Sequence, residues 1–326
     1  MASEQDIKES GRLLREGGIV AMPTETVYGL AAHALDADAV AKVFAAKARP
    51  SFDPLIVHVP DADTAWSLVA IDQLHEGLRD LPEVLADAFW PGPITMVLPK
   101  REFIPGIVTS GLQTVGVRVP AHPIAQQLLE TAGIPLAAPS ANTFGGISPT
   151  RAEHVSVECD AVLDGGPCET GVESTVVGFD ADASASGVVV LRLGGTSVEA
   201  IEQVVGGAVA IAKPGEKIAS PGMLDRHYAP RTPLRLVDRI EELDPASLGN
   251  QRVGLLSLRG EQGRGMGFAA AEVLSPSADL VAAAAHLFDA MHRLDRAGLD
   301  LIVAQRVPDQ GLGRAINDRL RRAATA

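Results

Sequence analysis

The chain has 326 residues, a formal net charge of −13, 46% hydrophobic residues and only 4% aromatic ones, so its core is built from Val, Leu, Ile and Ala and is large enough for more than one domain. The acidic balance excludes a general basic coat for nucleic acid, which needs a positive field to displace counterions. Cys159 and Cys168 form no CxxC pair or zinc spacing, the N-terminus is polar and no apolar run reaches the length of a membrane span, so the chain reads as cytoplasmic with no membrane association.

In chain order, residues 3–16 predict a helix with Ile7, Leu13 and Leu14 on one side and Gly17-Gly18 as its stop, followed by a short buried strand over 18–22. The segment "PTETVYGL" (23–30) then reads as a polar strand exit. Asp36 is a predicted N-cap for a helix carrying Val40, Val43 and Phe44, which ends before Pro50. "PLIVHV" (54–59) predicts a strand, 61–71 and 76–89 helical segments, and 94–99 and 114–120 further strands. A helix over 122–132 and strands over 134–142, 161–164, 174–179 and 188–194 follow, then a short helix and the apolar "AVAIAKPG". The lack of a strict βαβ rhythm predicts an α/β fold with a twisted mixed sheet for residues 1–212.

Residues 213–233, "KPGEKIASPGMLDRHYAPRTP", break the pattern with four prolines and two glycines and read as a linker. Beyond it, strands at 234–237, 253–258, 271–275 and 299–305 alternate with helices at 278–297 and 313–323, a smaller Rossmann-like parallel α/β domain over 234–326. The glycine-rich stretch 260–267 leads into a strand rather than a helix and so makes no helix-dipole phosphate cradle, and no P-loop, nucleophile elbow or HExxH motif occurs.

Several segments carry polar cargo on apolar strands. Lys47 and Arg49 close a helix, where cations satisfy the dipole but also suit phosphate oxygens. His58, Arg118 and Arg192 interrupt apolar strands, and a charge there needs a partner or a bound anion. Ser140, Asn142, Thr143, Ser148 and Thr150 cluster around Gly145-Gly146, and Glu173, Ser174 and Thr175 lead a strand. Four basic residues and four hydroxyl-bearing turns together suit a small polyanion with a polar zwitterion better than an apolar ligand.

These same segments, "GGIVAMPTETVYGL", "KARP…PLIVHV", "PSAN…GGISPT" and "GVESTVV", resemble the YrdC-type threonylcarbamoyl-adenylate synthases over about residues 10–210. "SPGMLDRHYAP" is similar to the interdomain linker of the long form of that family, and "GLGRAINDRLRRAA" to its closing helix. The resemblance implies a nucleotidyltransferase that converts L-threonine, bicarbonate or CO2, and ATP with Mg2+ into threonylcarbamoyl-AMP, diphosphate and water. That product feeds a separate tRNA threonylcarbamoyl transferase complex; direct tRNA binding is weak or left open by the sequence.

The resemblance also implies roles. Thr26, His58, Arg118, Ala138 and Ser174 hold threonine or bicarbonate, while Lys47, Arg49, Asp53, Thr114, Ser140, Asn142, Ser148, Arg192, His227 and Tyr228 hold the nucleotide. Lys47, Arg49 and Tyr228 are the expected catalytic residues, Tyr228 arriving on a flexible lid and Tyr28 lining the floor. Mg2+ is expected with ATP and not on protein side chains. Two positions depart from the family pattern, Asp53 for the usual Asn and Leu193 for the usual Pro. A carbamoyl-adenylate-forming enzyme and an RNA-binding module without chemistry are the alternatives; the cysteine count leaves the first without a zinc module, and the charge and lack of stacking aromatics weigh against the second.

Overall fold

The structure, a computed structural model, describes residues 1–212, 227–243, 249–260 and 266–324. The chain opens on α1 (Glu4–Arg15), whose N-cap Ser3 and N3 residue Asp6 exchange hydrogen bonds in a capping box. Strands β1 (Val20–Met22) and β2 (Gly29–His33) follow as an antiparallel hairpin. The second of these strands is absent from the sequence reading. "GLAAH" has no β-branched residue, so only its pairing on both edges, with β1 and later with β6, makes it a strand. Helix α2 (Ala37–Lys47) starts at Asp36, whose carboxylate accepts from the amides of Asp38 and Ala39. It ends at Ala48 in the left-handed region (φ 50°), two residues before Pro50.

The rest of the first domain comprises β3 (Ile56–His58), α3 (Ala62–Leu68), α4 (Leu81–Phe89), β4 (Ile94–Pro99), β5 (Thr114–Arg118), α5 (Pro123–Ala132), β6 (Leu136–Ala137), β7 (Ala161–Val162), β8 (Thr175–Phe179), β9 (Val188–Arg192), α6 (Val198–Val205) and β10 (Ala210–Ile211). All ten strands form one mixed sheet in the order β10-β9-β8-β4-β5-β3-β6-β2-β1-β7. Alternation decides the faces. Val20, Met22 and Ala31 pack with Leu14 of α1 and Leu128 and Leu129 of α5, whereas Ala21, Leu30 and Ala32 turn to Val40 and Val43 of α2. Helices thus cover both faces of the sheet.

A second, parallel sheet contains β11 (Leu234–Val237), β12 (Val253–Ser257), β13 (Ala270–Val273) and β14 (Leu301–Gln305) in the order β11-β14-β12-β13, with α7 (Leu280–Arg296) and α8 (Gly313–Ala324). The two-sheet α/β architecture is the one expected. Of the expected linker, residues 213–226 lie outside the described residues, as do 261–265 of the glycine-rich stretch. Among the described residues no helix is long and apolar enough to cross a membrane.

One hydrophobic cluster ties the domains together. Val27, Ile147 and Val172 of the first domain pack with Leu287, Phe288, Met291, Ile316 and Leu320 of α7 and α8, and Tyr228 sits among them. Each such side chain contributes about 1.5–3 kcal/mol when fully buried, so the domains are docked through a core. Gly171 (φ 71°) makes the approach possible, since a Cβ there would lie 2.4 Å from Ala285 Cα. Tyr228, the residue expected on a lid, is here only 1% exposed, with its ring 5.6 Å from Phe288.

Candidate active site

The site is assembled where strand ends and their loops meet. In the β1–β2 loop, Thr24 Oγ1 donates to Val27 O (2.7 Å) and accepts from the amides of Thr26 and Val27 (3.2 Å each), a side-chain turn that fixes Thr26 and Glu25 in place. Arg118, at the end of β5, then satisfies three groups: Nη1 donates to Thr26 Oγ1 (2.9 Å), Nη2 to Glu25 Oε1 (2.5 Å) and Nε to Gly92 O (3.2 Å). Glu25 Oε2 accepts from the Ala121 amide (3.1 Å), so both carboxylate oxygens of this buried ion pair are occupied.

His58 lies beside Arg118 in register across the parallel β3–β5 pair. Its Nδ1 meets no hydrogen-bond partner among the described residues. Burial, and then the Arg118 charge, push its pKa down to about 3, so the ring is neutral at pH 7.

The opposite wall is the start of β8. Ser174 Oγ is 2.8 Å from Thr95 Oγ1. Arg192, at the end of β9, donates to Ser174 O from Nε (3.2 Å) and Nη2 (2.9 Å), and from Nη2 to Ser174 Oγ (3.1 Å). Glu173 accepts from Ser148 Oγ on one oxygen and from Arg319 Nε (2.8 Å) on the other. Burial opposes its ionisation, but Arg319, Arg192 and Ser148 outweigh that and hold the carboxyl below its ordinary range. The glycine of "RLGG" serves this wall: a Cβ on Gly194 would sit 2.3 Å from Glu173 O.

The third side is the loop after β6. Lys47 Nζ donates to the carbonyls of Ser140 and Asn142, and its pKa falls well below the ordinary lysine value because it is buried and lies near Arg49, with Asp53 opposing. Asn142 Nδ2 donates to Thr143 O (2.9 Å) and Gly146 O (2.8 Å), closing the turn on itself. Arg49 pairs with Asp53 (Nη2–Oδ2 2.8 Å) and donates to the Asp53 and Pro54 carbonyls, all three bonds within a few residues of sequence. The carboxylate at 53 therefore neutralises Arg49 and holds the loop that follows α2.

The fourth side is the strap entering the second domain. Tyr228 adopts φ 64°, in the left-handed region, with its ring edge-on to His227 at 4.1 Å, and His227 is in turn edge-on to Phe144 at 5.8 Å. Burial pushes the pKa of His227 down to about 3 and that of the Tyr228 phenol up.

These four sides enclose one cavity with about 570 Å³ of empty space, the open volume at its mouth included. Ten of the expected residues line it: Thr26, Arg49, His58, Arg118, Ala138, Ser140, Ser174, Arg192, His227 and Tyr228. Lys47, Asp53, Thr114, Asn142 and Ser148 do not. Lys47 Nζ and Asn142 Nδ2 are spent on the 140–146 loop, Asp53 pairs with Arg49, Ser148 is fully enclosed against Glu173, and Thr114 is at the far end of β5 from Arg118. Tyr28 is not on the floor either. Its hydroxyl donates to Gly166 O (2.7 Å) and accepts from the Gly165 amide (3.0 Å), pinning the loop after β7.

Sequence reasoning missed Thr24, Glu25 and Arg319 as structural members of the site and gave Glu173 no role beyond leading a strand. Glu25 and Glu173 stood in the quoted motifs, and a carboxylate among cations there was a usable signal. Arg319 stood in the closing-helix motif, but nothing there points to a partner 146 residues away.

A family model described as "Telomere recombination" (Sua5/YciO/YrdC) matches residues 12–194, and one described as "Threonylcarbamoyl-AMP synthase, C-terminal domain" matches residues 196–325. The chain is 40% identical to the threonylcarbamoyl-AMP synthase of Pyrococcus abyssi over 98% of its length and 94% of the relative's. It is 42% identical to that of Bacillus subtilis over 99% and 94% of the two chains. A crystal structure of P. abyssi Sua5 complexed with L-threonine superposes with a TM-score of 0.88 at 38% identity, covering 99% of this chain and 95% of that one. The chain belongs to the threonylcarbamoyl-AMP synthase family.

Proposed function

We propose that the chain is a nucleotidyltransferase that joins L-threonine, bicarbonate or CO2, and ATP into threonylcarbamoyl-AMP, releasing diphosphate. The observation that carries this reading is the convergence of Arg49, Arg118 and Arg192 with the hydroxyls of Thr26, Ser140 and Ser174 on one cavity. It is supported by the two synthase relatives matched over nearly their whole length and by a threonine-bound relative of the same fold.

In this reading Thr26, His58, Arg118, Ala138 and Ser174 seat threonine and the carbon dioxide unit, and Arg49, Ser140, Arg192, His227 and Tyr228 seat the nucleotide. Threonine's ammonium and bicarbonate give the carbamate, one water and one proton; a neutral His58 beside cationic Arg118 disfavours the ammonium and so promotes that loss. A carbamate oxygen then attacks the α-phosphorus and the bond to diphosphate breaks. Fixed guanidiniums stabilise the charge that grows on the phosphoryl oxygens, so catalysis is orientation and electrostatics without a side-chain nucleophile. Lys47 and Asn142 act at one remove, by holding the Ser140 loop.

Mg2+ belongs to this reading as the companion of ATP. Glu173, which lines the cavity, and Asp53, behind it, are engaged by Arg319 and Arg49 respectively. The metal is then to be held by the phosphates and water, as is usual for Mg2+ on nucleotides. The mixed anhydride hydrolyses readily, so its consumer, a tRNA threonylcarbamoyl transferase complex, has to act promptly in the same compartment, which we take to be the cytoplasm. At a net charge of −13, direct tRNA binding is weak.

Mass spectrometry of the protein with ATP, Mg2+, bicarbonate and threonine tests the proposal. The threonylcarbamoyl-AMP adduct should form, and omission of threonine should abolish it. AMP-forming turnover with carbamoyl phosphate in place of threonine and bicarbonate would overturn it.

A further inference from the structure

Arg319 heads the large side chains that the fold buries completely, at 0% exposure, and it belongs to α8 of the second domain. Its partners outside that helix do not. Nε donates to Glu173 Oε2 (2.8 Å), Nη2 to Leu193 O (2.8 Å), and the guanidinium carbon stands 4.8 Å from the centre of the Tyr228 ring. Glu173 and Tyr228 line the cavity, and Leu193 follows Arg192, which also lines it; Arg319 itself does not reach the wall. The remaining nitrogen is held by Asp318 (Nη1–Oδ2 2.8 Å), so every nitrogen of the fork has a partner and the group is aimed.

Stability alone gives no reason for this arrangement. A buried cation loses hydration worth several kcal/mol, and a well-packed apolar side chain of similar size in the same place is often as stable or more so. What an apolar residue cannot do is hold a carboxylate, a carbonyl and the face of an aromatic ring in fixed relation. Glu173 transmits the constraint further, because its other oxygen accepts from Ser148 on the 138–148 loop. Tyr228 also needs it, being held at φ 64°, a backbone region that non-glycine residues adopt only when their surroundings enforce it.

We propose that Arg319 is a positioning residue: α8 reaches across the domain boundary to fix the Glu173 carboxylate, the Leu193 carbonyl and the Tyr228 ring, so the cavity is complete only with the second domain docked. The second domain is then part of the active site. Its consequence for turnover rests on the proposed function; its consequence for the cavity walls does not.

The test uses the full chain carrying Arg319→Met or Arg319→Lys, followed by hydrogen-exchange mass spectrometry and by steady-state kinetics. In Arg319→Met, peptides spanning 171–176 and 227–230 should exchange at least roughly tenfold faster while β14 keeps wild-type protection. In the same variant kcat should fall by about 30-fold or more, with the KM for ATP and threonine within roughly threefold of wild type, and Arg319→Lys should recover part of kcat. Wild-type exchange at both wall segments, or an equal rise in exchange across β14, would overturn the proposal. Should Arg319→Met not fold, the same criteria applied to Arg319→Lys decide. A wild-type protein that forms no threonylcarbamoyl-AMP would sink the functional reading alone, since the exchange comparison would still judge the role of Arg319.

Discussion

His58 and Arg118 occupy registered positions on neighbouring parallel strands, so an imidazole and a guanidinium stand on one face of the sheet at the cavity. The guanidinium is anchored from behind by Glu25 and Gly92, leaving its Thr26 side turned to the cavity. Replacing Arg118 with Lys keeps the charge and loses the fork. Charged hydrogen bonds contribute about 1.5–3 kcal/mol each, so the threonine KM should rise roughly 10- to 100-fold. Diphosphate release measured against threonine concentration checks this, and an unchanged KM would remove Arg118 from the threonine side.

The buried histidines predict an acid-labile fold. His58, His154 and His227 each have a native pKa near 3, against 6.5 when exposed. Between those values the unfolded chain binds protons that the native chain does not. The stability they contribute is therefore full above about pH 6.5 and is lost as pH falls toward 3, at up to about 1.4 kcal/mol per pH unit for each fully buried ring. Glu173, whose carboxyl is held below its ordinary range, adds a loss at lower pH, below its unfolded value of 4.5. Melting temperature should drop from pH 7.5 to pH 5, and His58→Gln should flatten that slope; a melting temperature that does not change over the interval contradicts the burial argument.

Gly194 is the tightest point of the Glu173–Ser174 wall. Gly194→Ala must push the wall by more than half an ångström, and overpacking of this kind costs about 1–3 kcal/mol. Turnover should fall along with stability. Gly206→Ala is the control: it meets only backbone strain at φ 68°, with no atom within 4 Å of the added carbon, so it should leave kcat unchanged. Equal effects of the two variants would mean that the wall tolerates displacement.

Lys47 holds the Ser140 and Asn142 carbonyls from inside the fold. Lys47→Met leaves both without that donor, and an unsatisfied buried acceptor costs about 1–3 kcal/mol. The expected outcome is faster hydrogen exchange over 139–143 together with weaker ATP binding by calorimetry. If ATP binding weakens while the loop stays protected, Lys47 meets the phosphates directly and the anchoring role is wrong.

Much of this molecule is local and could be read from the chain. Asp36 followed by Val40 and Val43 sets a cap and an apolar stripe, and α2 begins there. Arg118 and Arg192 in apolar strands announce that something must neutralise them, and together with the motifs around residues 26, 58, 140 and 174 and with His227-Tyr228 they supply ten residues that share one cavity. Tertiary structure decided the rest. β2 exists because two neighbours pair with it, and "GLAAH" has no propensity of its own to signal that. Lys47 and Asp53 turn away from the cavity because a buried carbonyl pair and a buried guanidinium claim them first. Arg319 meets Glu173 and Tyr228 only because Gly171 lets α7 approach closely enough to dock the second domain. Periodicity and capping act within a few residues of sequence, whereas pairing of buried charges is settled by which partners the folded chain brings within hydrogen-bonding distance, and sequence separation carries no trace of that choice.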